Sequence, residues 1–198
     1  MAADDYSVFM SKGRLEAFSD GVFAVIITIM VLELKVPHGG DWRVLQPLVP
    51  AFLAYVLSFI FLGIYWNNHH HMLHMTDRIN GGILWANLHL LFWLSLVPFT
   101  TAWMGDNHVA PLPTAVYGVV LLMDAIAYTL LQELIIRAQG PHSKLKAAVG
   151  HDLKGRVSAA LYVAAIPLAF VRPYISVGIY VTVALTWLVP DRRIESAL

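Results

Sequence analysis

The chain has 198 residues, of which 58% are hydrophobic and 13% charged, and its mean hydropathy is +0.65. A soluble domain carries about 25% charged residues, so the apolar excess requires lipid as part of the solvent. Thirteen basic and 13 acidic side chains cancel, no basic block suggests nucleic acid, and the absence of cysteine excludes disulfides, thiolate metal sites and cysteine nucleophiles.

The first 17 residues carry Asp4, Asp5, Lys12, Arg14 and Glu16, and an apolar run follows from Phe18 to Leu34. A secretory signal ends its apolar region at a small-residue cleavage site. This run instead ends in Glu33-Leu34-Lys35 and reads as a retained first helix. A membrane-spanning helix needs about 20 mainly apolar residues. On that measure the chain predicts a single all-α transmembrane domain of six helices, over residues 18–35, 44–68, 80–104, 112–136, 157–171 and 174–189. Pro47 and Pro50 fall in the first turns of the second span, where proline is tolerated. The fifth and sixth spans are short and flank Arg172-Pro173. The runs exceed strand length and lack the alternation of a barrel.

With the N-terminus inside, the inner segments hold Lys12, Arg14, Arg78, Arg137, Lys144, Lys146, Lys154, Arg156, Arg192 and Arg193. The outer segments hold Lys35, Arg43 and Arg172. This bias predicts that both termini are cytoplasmic. Trp42, Trp103 and Tyr174 fall near outer edges and read as interfacial anchors. The largest polar stretch, residues 137–156, has no catalytic constellation. The chain also lacks the His-Glu-x-x-His, Gly-x-Ser-x-Gly and phosphate-loop patterns, so no enzyme activity, catalytic residue or cofactor is expected.

The first helix is the most informative element. Val22, Val25, Ile29 and Leu32 repeat at 3, 4 and 3 residues, with Thr28 bordering the same face. Copies of this helix around an axis would stack branched apolar rings able to gate by dewetting, and a threonine ring able to replace part of an ion's water shell. Ordinary packing and lipid contact explain the same periodicity. Asp20 reads either as a helix cap or as part of a polar anchor with Arg14 and Ser19. Arg14 and Asp20 point to different sides, so each needs a partner on another helix or subunit.

Arg14-x-x-x-Phe18-Ser19-Asp20, continuing through Gly-Val-Phe-Ala-Val-Ile-Ile-Thr to a Leu-Glu-Leu exit, resembles the signature of the transmembrane protein 175 family. Trp66-Asn67-Asn68-His69-His70, Leu84-Trp85-Ala86-Asn87 and Leu96-Val97-Pro98-Phe99-Thr100 are similar to that family's segments. The resemblance covers roughly the first 105 residues; the rest matches in hydrophobic layout. It implies a homotetramer of six-helix subunits in the lipid bilayer, selective for K+, with the first helices lining a central pore. It further implies a constriction at Val25, Ile29 and Leu32, with Thr28 as a hydroxyl layer between them. Arg14, Phe18, Ser19 and Asp20 are then supports of the pore helix. Relatives often carry Ile or Leu where Val25 stands. Like them, the chain lacks the Thr-Val-Gly-Tyr-Gly loop of ordinary potassium channels. A single repeat implies a prokaryotic member in a bacterial inner membrane.

Two polar groups remain. His69, His70, His71 and His74 cluster at the inner end of the second span. His70 and His74 have metal-pair spacing but no Glu or Cys beside them, so no metal site is expected. A polar network of His70, Trp85 and Asn87 is the expectation here. A pH-sensing histidine is a further option. His89 and Asp124 fall inside the third and fourth spans, where ionisable groups are costly. Asp124 is expected to be protonated or to bond His89, Asn87 or Tyr128. The alternative function is a proton channel or proton-coupled transporter using His89 and Asp124.

Overall fold

The computed structural model describes residues 11–76, 79–150 and 152–188, and these form helices and turns without a strand. Helix α1 (Lys12–Leu32) comes first. A short 3-10 helix (Trp42–Leu48) then leads into α2 (Val49–His74). The Asp41 carboxylate caps the short helix by accepting from Arg43 N at 3.2 Å. Pro50 lies in the first turn of α2, where a missing N–H costs no intrahelical bond.

The third span is broken. Asn80 caps α3 (Gly81–Leu94) by accepting from Ile83 N at 2.9 Å, and α4 (Val97–Asp106) begins after Ser95 and Leu96. Pro98 cannot donate to the Leu94 carbonyl and its ring crowds it, so the segment read as one helix over 80–104 divides at residues 95–96. Helix α5 (Pro111–Gln139) opens on proline and stops at Gly140, which has φ +74°. A 3-10 turn (Gly140–His142) and α6 (Lys144–Val149) lead to α7 (Leu153–Val171), capped by Asp152, and then α8 (Pro173–Leu188).

Five stretches are long and apolar enough to cross a membrane: Lys12–Leu32, Trp42–His74, Gly81–Asp106, Pro111–Gln139 and Leu153–Val171. Helix α8 is apolar but has 16 residues. At 1.5 Å per residue it rises about 24 Å, short of a hydrocarbon core of about 30 Å. Val189, the expected end of the sixth span, lies outside the described residues, as do Arg78, Arg192 and Arg193.

The helices pack in two clusters. Leu15, Phe23 and Ile26 of α1 join Ile83 and Leu90 of α3 and Leu131 of α5. Phe61 of α2, Tyr117 of α5, Tyr162 of α7 and Tyr180 of α8 form the second. Lipid tails are as apolar as these side chains, so close packing and hydrogen bonds hold the bundle rather than removal from water. Small residues permit the closest approaches. A Cβ added at Gly105 would stand 2.6 Å from Ala51 Cα, so α4 and α2 meet backbone to backbone. At Gly118 it would stand 2.1 Å from Tyr180 Oη, which donates to Thr114 O at 3.1 Å. On the outer surface Leu53, Phe59, Val163, Phe170 and Leu185 stay exposed, as lipid-facing side chains do.

Candidate functional site

Helix α1 has two unlike faces. Leu15, Ser19, Phe23, Ile26 and Met30 point into the bundle and are buried. Val25, Thr28, Ile29 and Leu32 fall within roughly 100° of the helix circumference on another side. All four are exposed: Val25 is 55%, Ile29 42% and Leu32 80% uncovered. None of the other described residues covers this apolar face, which leaves it open to lipid, a second subunit or a water-filled path.

Thr28 has a specific geometry. Its Oγ1 donates back to Ala24 O at 3.0 Å and Val25 O at 2.9 Å. The hydroxyl hydrogen is thus engaged with its own helix, and the oxygen lone pairs remain for a cation.

The inward face is anchored by a buried chain of hydrogen bonds. Ser19 Oγ donates to Leu15 O at 2.9 Å and accepts from Asn87 Nδ2 at 3.0 Å. Asn87 Oδ1 lies 2.7 Å from His69 Nε2. An amide oxygen only accepts, so His69 Nε2 carries the proton. The His69 ring also meets Phe23, with ring centroids 5.7 Å apart. One residue on, Asp20 Oδ1 accepts from Trp66 Nε1 at 2.9 Å. Ser19 therefore ties α1 to α3, and Asp20 ties it to α2. Of the other motif residues, Phe18 and Arg14 are exposed, and Arg14 has no partner among the described residues.

The expected network differs in two members. Asn87 is its centre, but its partners are His69 and Ser19 rather than His70 and Trp85. Trp85 is 75% exposed, and the His70 ring lies on the surface, stacked between Trp66 and His74. The helix period is the reason. Ser58, Leu62, His69 and Met72 follow the buried face of α2, and His70 is one residue out of phase. That signal was present in the sequence.

Asp124 also departs from expectation. It is fully buried, and neither carboxylate oxygen has a hydrogen-bond partner among the described residues. His89 Nε2 accepts from Trp93 Nε1 at 2.9 Å, Asn87 is engaged with Ser19 and His69, and Tyr128 Oη donates to Asn68 O at 3.3 Å. None of the three expected partners reaches it. Among the described residues no group of three or more His, Asp or Glu side chains is placed to hold a metal ion.

An apolar cleft of about 980 Å3 opens beside the exposed face. Phe18, Gly21, Val25 and Ile29 of α1 line one wall, and Phe99 and Trp103 of α4 line the other. At the end of the cleft beside the C-terminus of α1, Lys35 Nζ pairs with Asp106 Oδ2 at 2.5 Å, joining the exit of α1 to the end of α4.

Residues 14–98 match the family model described as endosomal/lysosomal potassium channel TMEM175. A potassium channel of Chryseobacterium sp. is 59% identical over 189 residues, covering 96% of this chain and 98% of that protein. A potassium channel of Chamaesiphon minutus is 32% identical over 187 residues, covering 87% of this chain and 91% of the relative. The crystal structure of a lysosomal potassium-selective channel TMEM175 homolog from that organism superposes with a TM-score of 0.77 at 30% identity, covering 91% of this chain and 97% of that one. The human endosomal/lysosomal proton channel TMEM175 is 35% identical over 96 residues, which span 42% of this chain and 19% of the human protein. Sequence and fold agree over nearly the whole length: the chain belongs to the TMEM175 family of multi-pass membrane proteins, which are ion channels and not enzymes.

Proposed function

We propose that the chain is a subunit of a homotetrameric potassium channel whose central pore is lined by α1. Val25, Ile29 and Leu32 form apolar rings, and Thr28 supplies a hydroxyl layer between them. The observation that carries this reading is the asymmetry of α1. One face is locked to α2 and α3 through Asp20–Trp66 and Ser19–Asn87–His69, and the face bearing the four pore positions is left uncovered. Both bacterial relatives named above are potassium channels, which favours K+ as the permeating ion.

Each subunit is a single domain of six spans, the sixth built on α8. Assembly is part of the reading, because one chain of this size cannot enclose a pore and keep its own core. Arg14 and Phe18, exposed at the same end of α1, meet the neighbouring subunit. The bias of basic residues supports cytoplasmic termini, and the bacterial relatives favour a bacterial inner membrane. Narrow apolar rings exclude bulk water and open by rehydration, and the Thr28 oxygens replace part of the ion's water shell. The alternative of a proton channel or proton-coupled transporter using His89 and Asp124 has no direct hydrogen bond between the two among the described residues to favour it.

Ion flux in liposomes loaded with the purified protein tests this. Potassium flux without an imposed proton gradient, larger than sodium flux, is the expected result. Uptake that requires protons, or no flux of either cation, contradicts it.

A further inference from the structure

We propose that Glu33 raises the rate of potassium conduction by concentrating cations at the pore mouth beside Leu32, a role that rests on α1 lining the pore.

Glu33 follows Leu32 directly and is the C-cap of α1. It is exposed and lines the same cleft as Val25 and Ile29. No described Lys, Arg or His lies within ion-pair distance of it. Lys35, two residues on, is the nearest cation in sequence, and its ammonium is engaged by Asp106 at 2.5 Å. That pair is neutral overall. Of the three charges at this end of the cleft, the Glu33 carboxylate is the one left uncompensated.

The surroundings amplify that charge. The last carbonyls of α1 carry partial negative charge, and no basic residue stands in its last turn. The cleft walls are apolar: Phe99 and Trp103 of α4 stack with ring centroids 5.8 Å apart, across from Val25 and Ile29. An acidic group set among low-dielectric walls focuses its field into the adjoining water and raises the local concentration of counter-ions. In a tetramer four such carboxylates surround one mouth, a single residue beyond the Leu32 ring. A cation entering from that side meets them before it gives up water at the apolar rings.

Helix stability does not account for Glu33 at this position. A carboxylate at a helix C-terminus is repelled by the dipole, and Glu33 makes no hydrogen bond or ion pair with another described residue to offset that. The other acids at this end of the bundle do have structural partners. Asp41 caps the short 3-10 helix through Arg43 N, and Asp106 is held by Lys35.

Potassium currents through the full chain in planar bilayers test the role. At about 0.01 M salt, where the Debye length is about 30 Å, Glu33→Gln should lower the current about threefold. At about 1 M salt, where that length is about 3 Å, the difference should vanish. Glu33→Asp should keep most of the low-salt current. Glu33→Cys gives a second arm within one folded protein, because the chain has no native cysteine. An anionic methanethiosulfonate added to both sides should raise its low-salt current, and a cationic one should lower it. An unchanged low-salt current in Glu33→Gln would overturn the proposal. So would a loss of the same size at both salt concentrations, or equal effects from the two reagents, since a structural role does not depend on the sign of the charge. Block of Val25→Cys by a thiol reagent, with no effect at Glu33, would remove this role and leave the pore reading. No block anywhere along α1 would remove both.

Discussion

Asn87 donates its side-chain N–H to Ser19 Oγ at 3.0 Å, across 68 residues of sequence and between two helices whose rotation sets what α1 presents outward. Ser19 and Val25 sit on different faces of α1. Fixing one fixes the other, which makes a buried polar contact responsible for the orientation of an apolar one.

Asn87→Ala leaves the His69 N–H and the Ser19 oxygen unpaired in a buried site, and an unmade buried hydrogen bond costs roughly 1–3 kcal/mol. Thermal unfolding in detergent should show Asn87→Ala to be more destabilising than Ser19→Ala. The two changes should couple by at least about 0.5 kcal/mol in a double-mutant cycle. Additive losses would mean that the contact contributes nothing.

Asp20→Ala removes the acceptor for Trp66 Nε1, and Arg14→Ala removes an exposed cation at the same end of α1. If the proposed tetramer forms, both should shift it toward smaller species in size-exclusion chromatography. The channels that do assemble should keep their potassium/sodium ratio. Intact tetramers with an altered ratio would instead place these residues in contact with the ion.

Ile29→Asn would replace the proposed apolar ring with amides that hold water. Conduction through reconstituted channels should rise by about tenfold, equivalent to ~1.4 kcal/mol from the barrier, and potassium/sodium discrimination should weaken. Unchanged permeability would count against Ile29 as part of the constriction.

Gly118→Ala forces a methyl group against Tyr180 Oη. Overpacking of this kind costs typically about 1–3 kcal/mol, and the melting temperature should fall accordingly. Adding Tyr180→Phe removes the atom nearest the new methyl and should recover part of the loss. A further fall in the double variant would show that the Tyr180–Thr114 bond outweighs the steric conflict.

The sequence was most legible where a single helix carries the information. The 3-4 spacing of Val25, Ile29 and Leu32 places them on one strip whatever surrounds it, and the structure leaves that strip uncovered. The polar contacts were legible only in part. Asn87 stood out as an amide inside a span, but its partner depended on the phase of α2, which selects His69 over the adjacent His70. The break before α4 falls just ahead of Pro98, although an uninterrupted hydropathy profile hides it and Pro167 leaves α7 continuous. The isolation of Asp124 was not legible at all. Its expected partners are present and polar, but each is engaged elsewhere, and that is a property of three-dimensional packing.

Because the chain contains no native cysteine, single cysteines can be read without background, and a scan of α1 addresses the pore face most directly. Val25→Cys, Thr28→Cys, Ile29→Cys and Leu32→Cys should each give potassium currents blocked by a water-soluble thiol reagent. Phe23→Cys and Ile26→Cys, on the buried face, should be insensitive. Block confined to cysteines placed on α5, α7 or α8, with α1 inert throughout, would show that ions pass elsewhere.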